Sequence, residues 1–417
     1  MKPNLSPQPE RSTTERLFDT AAALFWHEGY AATTTREIAA ALGIRQASLY
    51  HHMASKEDLL YRICLSSLEP FLANVPVSAG EAECPLDRIR LFIHAHLTTL
   101  LRYQQRNVTL LTELRALSGR HASEVLALRD KYEHFSRSTL AQAQSAGELR
   151  GDIPVKYLSM ALMSMLNHAA LWFRKGRALE EDRLAEIFMK VFVDGAATPA
   201  ARSMLALPDF QSEEKKPVAR ARKTPVGADH PALARALDAA VGLFSRKGYA
   251  ATSTREVAQL LGIQKASLYY HVESKEDLLF LICQASLDQI RNDVETAIRD
   301  VQSPLDRTRT LICAHIESLL RDAAKHSTAF SETRALSPER QEQVLHLRDT
   351  YEGMVRSVLQ EAQDAGAIRK DIEVKYLCLV LLGLMNRAIR WYRRSGPLSP
   401  NQIGRLLAVI FLDGATR

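Results

Sequence analysis

The sequence predicts an all-α protein of two similar units, each a three-helix helix-turn-helix domain followed by a larger helical domain. Three observations carry that expectation. Apolar residues recur at three- and four-residue spacing, no stretch alternates as a half-buried strand would, and one domain-sized block is written twice. The 417 residues, 46% apolar and 24% charged, suffice for two or more domains with real cores.

The repeat is direct. Gly29-Tyr30-Ala31-Ala32-Thr33 returns as Gly248-Tyr249-Ala250-Ala251-Thr252, 219 residues later. The same offset carries Ser55–Leu60 onto Ser274–Leu279, Leu128-Arg129-Asp130 onto Leu347-Arg348-Asp349, Val155–Leu158 onto Val374–Leu377, and Asp194-Gly195-Ala196 onto Asp413-Gly414-Ala415. Between Gly29–Leu60 and Gly248–Leu279, 23 of 32 positions are identical, against roughly 6% per position for average composition. This is a duplicated domain-sized unit, not a solenoid.

The first helix of copy one is expected from Leu17, Ala21, Leu24 and Phe25, which share one face, and Gly29 should end it as a left-handed cap. Thr33-Thr34-Thr35 offers an N-cap for Arg36–Leu42, and Gly43-Ile44 breaks that helix, Gly supplying positive φ and Ile plugging the core. Small Ala39 permits the close crossing. The following segment, Arg45 to His52, is about two turns and has little to bury besides Leu49, so its other face is free to read bases. Ser55-Lys56-Glu57-Asp58 starts a long, capped fourth helix whose first amides, with Lys56, suit a phosphate. Copy two repeats each device with Ala258, Gly262-Ile263, Gln264–His271 and Ser274-Lys275.

From Pro85 to Gly195 the pattern stays helical: Leu86, Ile89, Phe92, Ile93, Leu97 and Leu101 form one stripe. Asp152-Ile153-Pro154 should break the chain before an apolar helix over Val155–Phe173, and Glu181–Phe192 should form a last one. The expected divisions are a tail over 1–12, small domains over 13–58 and 232–277, larger domains over 59–198 and 278–417, and a linker over 199–231. The linker has five prolines and the run Lys215–Lys223 with five positive charges and no acid, a composition unable to bury a core. Fully extended it would reach about 100 Å, so it need not restrict how the copies dock. Its basic run reads as a solvated spacer or as an arm along phosphates.

Several classes are excluded. The longest apolar stretches, Tyr157–Leu166 and Tyr376–Met385, fall well short of the roughly 20 residues needed to cross a bilayer. The polar start, Met1 to Arg16, lacks a secretory core, so the protein is expected in the cytoplasm. Five cysteines without a C-x-x-C pair argue against disulfides or a thiolate zinc site and read as core thiols. No nucleophile elbow, P-loop or dinucleotide fingerprint appears, so no catalytic residue and no cofactor is assigned. His94-x-His96 points to two different helix faces and carries no metal assignment. The net charge of +6 modestly favours a polyanionic partner.

Through T-T-R-E-I-A-x-x-L-G-I and S-L-Y-H-H-x-x-S-K-E-D-L-L, present here twice with a few exchanges, the sequence resembles the TetR/AcrR family of bacterial transcription regulators. The resemblance implies DNA-binding three-helix domains reading a double-stranded operator, ligand-binding and dimerisation domains whose last two helices pair as a four-helix bundle, and release by a small-molecule effector. Thr35, Tyr50 and Lys56, with Thr254, Tyr269 and Lys275, are implied as phosphate contacts, which position without specifying sequence. Arg45, Gln46, Ala47, Ser48 and His51 become candidates for base edges, with Gln264, Lys265, Ala266, Ser267 and Tyr270 in copy two. Exchanges cluster in this segment, so the copies are expected to read unequal half-sites. Ordinary members are homodimers; here a tethered partner at near-millimolar effective concentration favours an intramolecular pseudo-dimer, with a homodimer of the chain as the alternative.

The second half also resembles a narrower branch, repressors that respond to acyl-CoA esters, through Arg334-Ala335-Leu336-Ser337, Arg348-Asp349-x-Tyr351-Glu352 and Met385-Asn386-Arg387-x-x-Arg390-Trp391-Tyr392-Arg393. Trp391 offers a flat face, and Arg387, one helical turn earlier, offers charge-assisted bonds to phosphate, with Asn386 and Arg390 beside it. Copy one keeps Trp172 but has His168 and Leu171 for the two arginines, so copy two should bind such an ester better. For both tryptophans, plain packing is the competing reading. Arg115 and Arg334, following Glu113 and Glu332, read equally as ion pairs or pocket residues, and Tyr132 and Tyr351 are equally open. The alternative function is a helical ligand- or partner-binding protein that no longer binds DNA specifically.

Overall fold

The computed structural model describes residues 12–174, 179–195, 231–270 and 272–414. The tail before Ser12 and the linker up to residue 230 lie outside the described residues. Copy one contains α1 (Thr13–Glu28), α2 (Thr35–Leu42), α3 (Gln46–Leu49), α4 (Lys56–Gly80), α5 (Pro85–Arg102), α6 (Gln104–Glu113), α7 (Gly119–Ser145), α8 (Val155–Trp172) and α9 (Glu181–Met189). Copy two contains α10 (Pro231–Lys247), α11 (Thr254–Leu261), α12 (Lys265–Tyr269), α13 (Lys275–Ile298), α14 (Pro304–Arg321), α15 (Ala323–Glu332), α16 (Pro338–Asp364), α17 (Val374–Asn386), α18 (Ala388–Trp391) and α19 (Pro400–Asp413). No strand occurs among the described residues.

The small domains, or heads, form as their caps dictate. Thr34 and Glu37 make a reciprocal capping box at α2, as Ser253 and Glu256 do at α11. At the turn, Gly43 sits in the left-handed well (φ 70°, ψ 26°) and the Ile44 amide donates to the Ala39 carbonyl at 3.0 Å. Gly29 instead combines φ 85° with ψ 148°, positive φ outside the left-handed helical region expected for it. The reading segment is shorter than the expected Arg45–His52: Arg45 is the N-cap of α3, only Leu49 is buried in it, and Tyr50 to His52 leave the helix as a turn.

Each head has its own core. Leu17, Phe25, Ile38, Leu49 and Leu60 anchor one, and Phe244, Val257, Leu268 and Leu279 the other. A third core is shared: Phe92, Leu162, Met165 and Phe188 of copy one and Ile312, Leu381, Met385 and Phe411 of copy two belong to one continuous apolar cluster. Within it α8 packs along α17, while α9 packs on α5 and α19 on α14. The last helix of copy one is shorter than the expected Glu181–Phe192, giving way to a π turn over Lys190–Asp194.

Where those last helices end, the copies meet backbone to backbone. Gly195 (φ 72°, ψ 175°) and Gly414 (φ 77°, ψ −174°) lie against each other so closely that a Cβ on either would overlap the other's amide nitrogen. Flanking them, the buried Arg150 guanidinium bonds Asp152 at 2.7 Å and reaches Asp413 of the other copy at 2.8 Å. Its counterpart Arg369 donates to the carbonyls of Lys190 and Gly195 at 3.2 and 3.1 Å. Nearer the heads, Arg115 pairs with Glu332 and Arg334 with Glu113, two crossed ion pairs joining the copies. Both arginines are therefore structural, the reading the sequence had left level with a pocket role.

The cysteine expectation holds for Cys64, Cys283 and Cys378, which are buried, but not for Cys84. Cys84 is exposed as the N-cap of α5, where its thiol lies by Glu148 rather than in a core.

Candidate functional site

On the first head the side chains of Arg45, Gln46, Ala47, Tyr50 and His51 are exposed and Ser48 half-buried. On the second, Gln264, Lys265, Ala266, Ser267, Tyr269 and Tyr270 are all exposed, Tyr270 at 89%. A helix of four or five residues that buries one leucine and leaves this row outward is held by its neighbours, not by its own packing.

The flanking residues differ between the copies. Gln46 Nε2 donates to Thr35 Oγ1 at 2.9 Å, whereas Lys265, in the equivalent place, lies over the Tyr269 ring at 5.5 Å and the Tyr269 hydroxyl bonds Thr254 Oγ1 at 3.3 Å. Lys56 and Lys275 behave alike. Lys56 Nζ donates to the Tyr30 and Thr33 carbonyls, both at 2.8 Å, and sits 4.4 Å from the Tyr30 ring centre. Lys275 makes the matching bonds to Tyr249 and Thr252 at 3.0 and 2.9 Å. Burial lowers both ammonium pKa values, with Glu37 opposing at Lys56 and Glu332 at Lys275. Each lysine thus ties the fourth helix to the loop before the second, keeping one of its three N–H groups for an outside acceptor.

The expected effector residues gather where the two bodies meet. Trp391 is half-buried, its Nε1 donates to Ser164 Oγ of copy one at 3.2 Å, and its ring centre is 6.4 Å from that of Tyr157. The helix does not run unbroken from Asn386 to Trp391 as expected. It pauses at Arg387, whose amide reaches Gly383 at a stretched 3.4 Å beside the place where the His168 side chain presses on Gly383. Burial, then Arg390 and Arg129, hold the Arg387 pKa down to about 9. Arg390 keeps solvent contact, yet the protein packed around it, Arg115 and Arg129 lower its pKa too.

Sequence reasoning did not single out Arg129 and Ser164 as neighbours of these residues. The recurrence of Leu128-Arg129-Asp130 was the available signal for the first; Ser164 had none, because copy two has Gly383 there. The Trp172 Nε1 is buried without a hydrogen-bond partner.

Each larger domain buries a polar pair, His96 Nδ1 with the Tyr132 hydroxyl at 2.8 Å and His315 Nδ1 with Tyr351 at 2.6 Å. Both tyrosines are thereby interior residues. His94 instead faces Asp182 at the surface. Among the described residues no cluster of three or more metal-ligating side chains forms, and no helix is long and apolar enough to cross a membrane.

Comparison with known proteins gives a consistent picture. The model for "Bacterial regulatory proteins, tetR family" matches residues 17–63 and 236–282, and that for "Tetracyclin repressor-like, C-terminal domain" matches 82–196 and 301–415. The HTH-type transcriptional repressor KstR2 of Mycolicibacterium smegmatis is 29% identical over 182 residues, 43% of this chain and 89% of that protein. Its namesake in Rhodococcus jostii is 30% identical over the same length, covering 88% of that protein. Among solved structures, the TetR family regulator PfmR of Thermus thermophilus is 32% identical, with a TM-score of 0.42 over 44% of this chain and all of that one.

Proposed function

The chain belongs to the tetR family of bacterial regulatory proteins, as two units in tandem, and from that premise we propose that it is a cytoplasmic repressor gripping one operator with both of its heads. It is a transcriptional regulator and not an enzyme. The observation that carries the reading is a pairing of features: an outward row of side chains on the third helix of each head, and bodies that share one core. In this reading residues 13–58 and 232–277 are the DNA-binding domains, and 59–198 and 278–417 form an intramolecular pseudo-dimer. Lys56 and Lys275, with Thr35, Tyr50, Thr254 and Tyr269, meet phosphates. Arg45 and Gln46 face bases that Gln264 and Lys265 cannot read in the same way, so the two half-sites differ.

The effector is an acyl-CoA ester held at Asn386, Arg387, Arg390 and Trp391, whereas Trp172, at the equivalent place in copy one, stands beside His168 and Leu171 in place of the two arginines. It acts by favouring a spacing of the heads that no longer fits major grooves about 34–36 Å apart. The repressor names of the relatives support the sign of regulation.

Selection of bound genomic fragments followed by footprinting tests this. The expected footprint is two unequal half-sites, with affinity weakening at least a hundredfold or so between 50 and 200 mM salt. Arg45→Ala should cost roughly 1–3 kcal/mol and relax specificity in one half-site alone, and Lys265→Ala should act only on the other. A symmetric palindrome bound equally well after exchanging Arg45-Gln46 for Gln-Lys would overturn the unequal reading. Undiminished affinity after disabling one head would overturn the shared grip.

A further inference from the structure

The duplication gives each residue of the arginine cluster a counterpart 219 positions away. The two ends are chemically unlike. At the first, Arg387, half-buried, and its neighbours Arg390 and Arg129 have no carboxylate or carbonyl partner for their guanidinium groups among the described residues. Arg115 adds a fourth positive charge nearby, bound to Glu332, and the acid within range, Glu113, is already bound to Arg334. Trp391 stands beside them with its indole fixed on Ser164.

At the second end every one of these features is used up or missing. His168 replaces Arg387; it is neutral, burial and then Arg387 pushing its pKa down to about 3, and its Cβ packs directly on Gly383. Leu171 replaces Arg390. Arg348, in the place of Arg129, donates to Thr333 Oγ1 at 2.9 Å and the Ala329 carbonyl at 3.4 Å. Arg334, in the place of Arg115, is spent on Glu113 and on the Phe25 and Trp26 carbonyls at 2.9 and 3.2 Å. Gly383 gives Trp172 no hydroxyl where Ser164 gives Trp391 one.

We propose that the chain carries a single anion site, built jointly by Arg129 of copy one and Arg387 and Arg390 of copy two, which takes one phosphate-bearing ligand per chain with Trp391 against its flat portion. The inference rests on the effector reading above and adds to it that the ligand acts on the pair from one side only. Gathering several guanidinium groups without an acid is unfavourable until an anion arrives, and the charge-assisted bonds it then forms are the strong kind. The pseudo-symmetric position has no uncommitted cation with which to repeat this. Since these residues come from both copies, a ligand held by them touches both bodies at once, yet of Arg115 and Arg334 only Arg334 also holds C-terminal carbonyls of α1, so the two heads receive the signal unequally.

Titration calorimetry on the full chain tests this with 3′,5′-ADP, CoA and octanoyl-CoA as probes. The expected result is one ligand per chain, with affinity falling roughly tenfold to a hundredfold in Arg390→Leu and in Arg129→Ala, both surface changes that leave the fold intact. Leu171→Ala, at the mirror position, should leave affinity unchanged. Two equal sites per chain, or loss of binding in the Leu171 variant, would overturn the proposal. Binding of 3′,5′-ADP that is lost in Arg390→Leu, with no response to octanoyl-CoA, would uphold the anion site and overturn the acyl-CoA reading. No saturable binding of any probe would overturn the site itself.

Discussion

Replacing Gly414 or Gly195 with alanine should unseat the joint between the copies, and the effect should be among the largest available from one methyl group. Both glycines combine positive φ with fully extended ψ, a region that only glycine occupies without a cost of order 1–3 kcal/mol. The added Cβ would also overlap the backbone of the other glycine, which has no flexible side chain to move aside. Strain and overlap together should remove about 3 kcal/mol or more, and the crossed bonds of Arg150 and Arg369 at the same place should loosen with them. The measurement is the urea midpoint of each variant beside Gly353→Ala. Gly353 lies inside α16 with open space around it, so alanine there should add about 0.5–1 kcal/mol of stability. Equal midpoints for Gly414→Ala and the native chain would refute the close crossing.

Acid should unfold this protein well before its carboxylates protonate. Burial holds the pKa of His96 and His168 down to about 3 and that of His315 to about 4, Asn167 opposing slightly at His96, Asn386 at His315, and Arg387 adding to the depression at His168. The unfolded chain takes up these protons from about pH 6.5 downward, while the folded chain refuses them until far lower. The sign is therefore fixed: stability is complete about one unit above pH 6.5 and falls as pH drops through that value toward the folded ones. Each group contributes up to about 1.4 kcal/mol per pH unit once the unfolded ring is mostly protonated, so three of them remove on the order of 7 kcal/mol between pH 6.5 and 4.5. That rivals the whole stability of an ordinary domain. Circular dichroism melts across this range read the effect, and a His96→Gln variant should show a shallower slope. A melting temperature that hardly moved over these two units would show that the rings titrate in the folded state.

Much of the fold lies open in the sequence because its signals are local. Thr34 and Glu37 are three residues apart, Gly43 and Ile44 adjacent, and the apolar stripe of α5 repeats within single turns, so caps, turn and helices follow from short-range chemistry. The repeat supplied the second copy at no further effort. The joint between the copies was legible only as a family expectation, since Arg150 meets Asp413, and Ser164 meets Trp391, across more than 200 residues. Nor does any local pattern foretell the pause at Arg387 or the exposure of Cys84, both set by what packs, or fails to pack, against them. The reading residues were legible as types. Their linkage, Gln46 to Thr35 in one head and Tyr269 to Thr254 in the other, depended on the three-dimensional turn.

The shared core also governs the chain's birth on the ribosome. Helix α8 lies along α17, and its counterpart is translated 219 residues later, a delay of roughly 10–45 s at 5–20 residues per second. During that interval the newborn first half carries an uncovered greasy strip. On a crowded polysome, neighbouring nascent first halves are the nearest available covers, so slow elongation should favour mispaired, swapped assemblies, and synonymous codons that hasten passage through the second half should suppress them.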